Sequence, residues 1–310
     1  MTWEHVERGR FHLRRGDGTR ALAEARQALA AEPDDIDAIE LEADALSRLG
    51  RHDEAVAAAR RMVAAEPDGE WSHITLSAAL RAAGRFDEAL LSADAALALA
   101  PDDPAAWLEK AGGSYGCDRF ADVVEAADRG LAADPELDEL LLLRGFGLLA
   151  MHRRREAEEA FRAVLGRNPD DARAHAGLAR ADFVGLRFGR AAEGVSSSLR
   201  IDPESADARR LLLETARART PAGRIYYPWV LWISRFPTWV RWALIIGLYG
   251  LFRLLISDTG RSVVPMPVLV PLVLAYITFC LVTWFGPKLV DGYLRTDPER
   301  ARLLDEAGDD

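Results

Sequence analysis

The chain has 310 residues, enough for about two structural units, and its 49% apolar and 28% charged residues are typical of a folded protein. A formal net charge of −10 argues against a general nucleic-acid binder, because such proteins need a basic surface to displace counterions from phosphates. Two cysteines, Cys117 and Cys280, are poor material for a disulfide framework or a zinc site. We therefore expect a reducing compartment, and the polar N-terminus predicts that the first domain is not exported.

From the N-terminus onward, prolines recur at a regular interval of about 34 residues, at Pro33, Pro67, Pro101, Pro135, Pro169 and Pro203. Acidic residues flank each of them, and this combination ends one helix and favours the start of the next. Small or apolar residues precede each proline at one fixed distance, at Ala21, Ala55, Ala89, Val123, Ala157 and Ala191. Turn glycines Gly16, Gly50 and Gly84 keep the same interval as the prolines. The pattern predicts a helix, a turn and a helix in each repeat.

The period, the small-residue columns and the terminal proline resemble the tetratricopeptide repeat (TPR) family, over Thr2 to Pro203. Trp107 matches the family's large residue near the start of the first helix, whereas His5, His73 and His175 occupy that position in other repeats. The resemblance implies an all-α fold, a right-handed α-solenoid of about six helix-turn-helix repeats. The leucine-rich segment Glu204 to Arg219 predicts a capping helix on the sixth repeat.

In this family, first helices line a concave surface that holds partner peptides. The resemblance therefore implies a protein-binding groove, whose apolar middle comprises Trp71, Ile74, Ala78, Leu108, Tyr115, Leu142, Phe146 and Leu149. The same positions at the ends of the array give Arg10, Arg14, Asp44, Arg173 and Arg180. Either these apolar residues pack between helices, or the groove accepts an apolar or amphipathic segment. Lys110 is the one lysine of the soluble part, which argues against the family's carboxylate-clamp chaperone partners.

Two local features leave alternatives open. Gly112, Gly113 and Gly116 interrupt the first helix of repeat four, which indicates either drift in a helix held by its neighbours, or a ligand approach or flexible joint. The cluster Arg153 to Arg155 at a turn is either a solvated turn or a contact for anionic lipid or an acidic partner.

Towards the C-terminus, Trp239 to Ile256 and Val268 to Phe285 are apolar enough to predict two membrane-spanning helices joined as a hairpin. Arg241 and Arg253 lie near opposite ends of the first span, where their side chains can reach the headgroups. Trp229 and Trp232 belong to a preceding aromatic segment that predicts a helix at the membrane interface; the alternative is a buried core. The flanking arginines predict that the repeats and the C-terminus are cytoplasmic, in a bacterial-type inner membrane.

The expected organisation is a TPR array over residues 1–220, an interfacial segment over 221–237, a transmembrane hairpin over 238–286 and an acidic tail over 287–310. We expect a membrane-tethered scaffold that binds a protein segment. The alternative is an accessory or regulatory subunit of a membrane enzyme, transporter or secretion assembly, recognised through the hairpin. Because no phosphate loop, nucleophile elbow or metal motif is present, we expect no enzymatic activity, cofactor, metal or small-molecule substrate.

Overall fold

The computed structural model describes residues 2–233, 236–237, 239–240, 243, 247, 253 and 271. The part of the chain that the model describes is helical, without strands. Its helices are α1 Thr2–Arg14, α2 Gly18–Ala31, α3 Ile36–Arg48, α4 His52–Ala65, α5 Glu70–Ala82, α6 Phe86–Leu99, α7 Pro104–Gly116, α8 Phe120–Ala133, α9 Asp138–Ala150, α10 Arg154–Arg167, α11 Ala172–Val184, α12 Phe188–Ile201, α13 Ala206–Ala218 and α14 Pro221–Ile233. Odd-numbered helices from α1 to α11 are the first helices of the six repeats, and even-numbered helices from α2 to α12 are the second helices.

The acidic residues after the prolines cap the first helices. The carboxylates of Asp35, Asp103 and Asp171 accept hydrogen bonds from backbone N–H groups of the first turns, at 3.1, 2.7 and 2.8 Å. These bonds satisfy donors that a helix N-terminus otherwise leaves unpaired. The predicted role of these acidic residues is therefore confirmed at these three repeats.

The turn inside each repeat needs one residue in the left-handed region. Gly16, Gly50 and Gly84 have φ between 72° and 80°, which glycine adopts without strain. The later repeats keep the turn without glycine, with Asp118, His152 and Leu186 at φ of 57°, 60° and 60°. The backbone of the turn is thus the same along the array although its residue type is not.

The chain divides into two compact units, Met1–Pro169 and Asp170–Asp310. In the first unit, each first helix contacts the next first helix, whereas consecutive second helices make no contact of similar extent. The first helices therefore form the inner layer of this stack and the second helices the outer layer. The small-residue column is the interface between layers, since Ala21, Ala55, Ala89, Val123 and Ala157 are all completely buried.

The second unit, where it is described, contains α11 to α14. Its core includes Ala179, Phe183, Ala191, Val195 and Leu211, so the predicted capping helix α13 packs on the sixth repeat. Tyr227 of α14 joins this core through ring contacts with Phe183 and Phe188, at centroid distances of 5.4 and 6.3 Å.

Among the described residues, no helix combines the length and the apolar character needed to cross a bilayer. The two predicted spans lie outside the described residues, apart from Trp239, Val240, Ala243, Gly247, Arg253 and Pro271. The predicted acidic tail also lies outside them.

Candidate functional site

The inner face of the first unit is formed by the sides of α5, α7 and α9 that lie opposite the second helices. Of the predicted groove residues, Trp71 and Tyr115 are exposed at 46% and 41% of their surface. Leu108, Phe146 and Ala78 are half-buried. These five residues form an apolar strip that a ligand can reach, and they are hereafter called the inner strip.

Three predicted groove residues belong to the core instead. Ile74, Leu142 and Leu149 are only 5%, 3% and 8% exposed, and Ile74 packs with Ala96, Leu97 and Ala106. Because consecutive first helices touch one another, side chains at these positions are covered by the neighbouring helix pair. Their burial favours the alternative of packing between helices, and contact with a partner stays a prediction for these residues.

Aromatic contacts hold part of the inner strip in place. The ring of Tyr115 meets that of Phe146 edge-on at a centroid distance of 6.4 Å. Phe146 in turn contacts Phe161 at 5.0 Å, and Phe161 is completely buried. Such edge-to-face pairs favour one ring orientation. The inner strip is thus anchored to the core, which reduces the entropy lost when a ligand binds.

A charged cluster borders the inner strip at its N-terminal side. The carboxylate of Glu40 accepts a hydrogen bond from the indole N–H of Trp71 at 2.7 Å and one from the guanidinium of Arg10 at 3.2 Å. Arg10 also pairs with Asp37 at 2.6 Å. These bonds run across α1, α3 and α5, so they fix the indole ring where the charged and apolar parts of the inner face meet.

Asp44 lies in this charged cluster and has a raised pKa. Desolvation by the surrounding protein and, secondarily, the negative charge of Glu40 raise the pKa of Asp44 from 3.8 to about 6, although Arg10 opposes this shift. Asp44 is nevertheless exposed to solvent, which moderates the effect of desolvation on its pKa. A carboxylate whose charge is disfavoured gains from a cationic ligand, so this end of the inner face favours a positive group.

The glycines of α7 are explained by close packing. A Cβ at Gly112 would lie 2.8 Å from the Arg81 Cδ, and one at Gly113 would lie 3.0 Å from the Leu90 Cδ2. A Cβ at Gly116 would overlap the ring of Phe86. The close approach is therefore made by side chains of the preceding repeat, and the glycines let α7 pack against it.

The sequence interpretation missed Glu40 and Arg81. Arg81 forms a two-pronged ion pair with Glu109 across α5 and α7, at 3.0 and 3.1 Å. Glu40 stands one full repeat before Ile74, and Arg81 stands one full repeat before Tyr115. Extending the groove positions by one repeat in sequence would have identified both residues.

The remaining predicted site residues lie in or near the second unit. Trp229 and Trp232 of α14 stack at 5.3 Å, with Trp232 46% exposed. Arg253 is exposed, and Arg241 lies outside the described residues. Their predicted contact with the membrane interface is untested by this geometry.

Two of the three arginines in the cluster of repeat five form ion pairs with glutamates of α10. Arg153 pairs with Glu156 at 2.6 Å, and Arg154 pairs with Glu158. These ion pairs favour the solvated turn over a contact for anionic lipid.

Comparisons with known proteins agree with this architecture. Residues 142–206 match a family model described as tetratricopeptide repeat, and residues 30–99 match one described as bacterial transcriptional activator domain. No curated protein matches the chain in sequence.

Several solved structures share the fold. The APC/C hetero-tetramer Cut9-Hcn1 matches with a TM-score of 0.63 and 17% identity, over 69% of this chain and 43% of that one. PilW, a type IV pilus biogenesis factor, matches at 0.59 and 20% identity, over 68% and 98% of the two chains. Pseudomonas aeruginosa pilF matches at 0.55 and 18%, over 69% and 97%. At these identities the likeness concerns the fold, a solenoid of helix pairs.

Proposed function

We propose that this chain, whose helix pairs are tetratricopeptide-type repeats, is a membrane-tethered scaffold that binds a segment of a partner protein on its inner face. The repeat fold is one that serves as a protein-interaction scaffold. The proposed activity is binding rather than catalysis, and it requires no cofactor.

The accessible inner strip is the observation that carries this proposal. Trp71 and Tyr115 remain exposed at 46% and 41%, although the same helices bury Ile74, Leu80 and Ala106. Large aromatic side chains that a stable fold leaves exposed on one surface are characteristic of binding anchors. Because α5, α7 and α9 are neighbours, these anchors are spaced along one continuous surface.

The partner segment we propose is amphipathic, with an apolar side for Tyr115, Leu108 and Phe146. The segment also carries a positive charge beside its apolar side. That charge faces the carboxylates of Asp44 and Glu40, which lie beyond Trp71. An amphipathic helix in a groove satisfies both requirements, since its apolar residues recur along one side.

The tether in this proposal consists of the two apolar stretches Trp239 to Ile256 and Val268 to Phe285. Their length and composition support membrane insertion, and the exposed indole of Trp232 on α14 suits an interface. The arginines around the stretches favour a cytoplasmic location for the repeats, at a bacterial-type inner membrane. Tethering raises the effective concentration of a bound protein near other proteins of that membrane.

The test is a crosslinking pull-down of the full chain from native membranes, comparing the wild type with a Trp71→Ala, Tyr115→Ala variant. The matched control is Leu91→Ala, which truncates a 72% exposed leucine on the second helix α6. Loss of one aromatic anchor costs about 2 kcal/mol of binding free energy, or roughly 30-fold in affinity. We expect partners to disappear in the inner-face variant and to remain in the control.

An unchanged partner list in the inner-face variant would contradict the groove. Recognition would then be assigned to the C-terminal hairpin, as in an accessory subunit of a membrane assembly.

A further inference from the structure

A cleft of about 620 Å³ in the second unit is lined by an unusual concentration of arginine. Four arginines line it: Arg187 and Arg190 at the start of α12, and Arg219 and Arg224 around the α13–α14 junction. Phe188 and Pro228 supply its apolar walls. No acidic residue is among the described residues that line the cleft. Among the described residues, the lining of the cleft is therefore positively charged, with Asp182 balancing Arg187 alone.

The repeat pattern shows that this charge is a departure from the rest of the array. In repeats one to five, the residue before the second helix and the residue three positions later have opposite charges: Asp17 and Arg20, Arg51 and Glu54, Arg85 and Glu88, Arg119 and Asp122, Arg153 and Glu156. Three of these pairs form ion pairs of 2.6 to 2.7 Å between arginine and glutamate. In repeat six the same two positions are Arg187 and Arg190. The two positions carry opposite charges in repeats one to five and two arginines beside the cleft in repeat six.

The arginines of the cleft differ in whether they form ion pairs. Arg187 pairs with Asp182 at 2.6 Å, which fixes its guanidinium at the cleft wall. Arg190, Arg219 and Arg224 are exposed, and within the described residues none of the three forms an ion pair. Several cations held near one another without carboxylates repel, so an anion bound between them is stabilised by all of them.

From the lining and the altered repeat position, we propose that this cleft binds a phosphate group. The planar guanidinium matches phosphate oxygens with two parallel hydrogen bonds, which makes arginine the preferred residue for phosphate recognition. The first turn of α12, Phe188 to Arg190, also lines the cleft, and its backbone N–H groups receive no side-chain cap from Arg187. The apolar walls, and an exposed Trp232 on the same helix as Pro228, suit a phosphate carried by a lipid headgroup, and a free phosphate shares the same chemistry.

The test variant is Arg190→Glu, which restores the charge pattern found at Glu54, Glu88 and Glu156 and places a carboxylate in the cleft. The matched control is Arg155→Glu, the same charge reversal at an exposed arginine of α10 in the first unit. Neither substitution alters a residue of the inner strip. The result is therefore independent of the proposed partner groove.

Binding is measured by isothermal titration calorimetry on the full chain in nonionic detergent. The salt concentration is about 0.15 M, at which interactions between exposed charges are screened beyond about 8 Å. One arm titrates mixed micelles containing phosphatidylglycerol or, for comparison, phosphatidylcholine; the other arm titrates inorganic phosphate. For a lipid ligand, we expect phosphatidylglycerol to bind the wild type and Arg155→Glu at least tenfold more tightly than Arg190→Glu. If the ligand is free phosphate, we expect the same tenfold loss of affinity in Arg190→Glu when inorganic phosphate is titrated.

Equal affinities of wild type and Arg190→Glu in both arms would overturn the proposal, as would an equal loss in Arg155→Glu. Far-UV circular dichroism establishes that each variant is folded. If Arg190→Glu fails that check, Arg224→Gln provides the decisive comparison, because it removes one cleft charge at an exposed position outside α12. Unchanged binding in a folded Arg224→Gln protein would then refute the site.

Discussion

The ion pair between Arg81 and Glu109 is predicted to couple the third repeat to the fourth. Arg81 lies on the inner layer and reaches over Gly112, where the missing side chain makes room for it. Glu109 is only 7% exposed as a side chain, whereas Arg81 is 41% exposed. The pKa of Arg81 is raised, since burial alone would lower it but the hydrogen bond and charge of Glu109 outweigh that effect.

The perturbation is a double-mutant cycle of Arg81→Met, Glu109→Leu and the double variant. Arg81→Met leaves the Glu109 carboxylate buried without its partner. We expect this to lower the unfolding free energy by about 3 kcal/mol. This value is at the lower end for broken buried ion pairs, because Arg81 is partly solvated. The double variant replaces both charges with apolar groups of similar length and should cost only about 1 kcal/mol.

Urea unfolding followed by far-UV circular dichroism measures the cycle on the full chain, with each variant's slope compared with that of the wild type. Glu109→Leu alone should cost little, because solvent reaches the 41% exposed Arg81, so the expected coupling between the two positions is about 2 kcal/mol. Additive effects, with a coupling below about 0.5 kcal/mol, would refute the argument that this pair joins the two repeats.

Three further predictions concern other positions. His152→Gly should raise the unfolding free energy by about 1 kcal/mol, because His152 sits at φ 60°; a lower melting temperature in the variant would contradict this. Asp44→Asn should stabilise the protein at pH 7 by about 1 kcal/mol after allowance for solvent screening. The raised pKa makes wild-type stability fall as the pH rises from about 4 to 6, and urea midpoints in which the variant keeps that slope would refute the assignment. Gly116→Ala should destabilise by about 2 kcal/mol, because its Cβ displaces the Phe86 ring, and unchanged thermal unfolding would show that the ring relaxes freely.

Much of the fold follows from residues whose physical role is local. Proline and the aspartates after it set the helix ends, and the completely buried column from Ala21 to Ala157 shows that the repeat period predicts the interface between layers. The turns with Asp118, His152 and Leu186 were less predictable, because packing of the two helices imposes the left-handed residue without glycine.

The inner face was predicted only in part, since helix positions do not specify how closely neighbouring helices pack. Trp71 and Tyr115 remain accessible, whereas Ile74 and Leu142 at equally apolar positions are covered by adjacent helices. The charged cluster around Glu40 depends on contacts between three helices, and no single repeat contains that information.

Site-specific photocrosslinking tests the central claim, recognition by the inner face, most directly. A photoreactive phenylalanine analogue replaces Tyr115 in one protein and Leu91 in the other, and each full chain is irradiated in native membranes. The account predicts a defined crosslinked partner from position 115, which is lost when Trp71→Ala is added, and no such product from position 91. Equal crosslinking from both positions, or none from position 115 while the partner still copurifies, would contradict it.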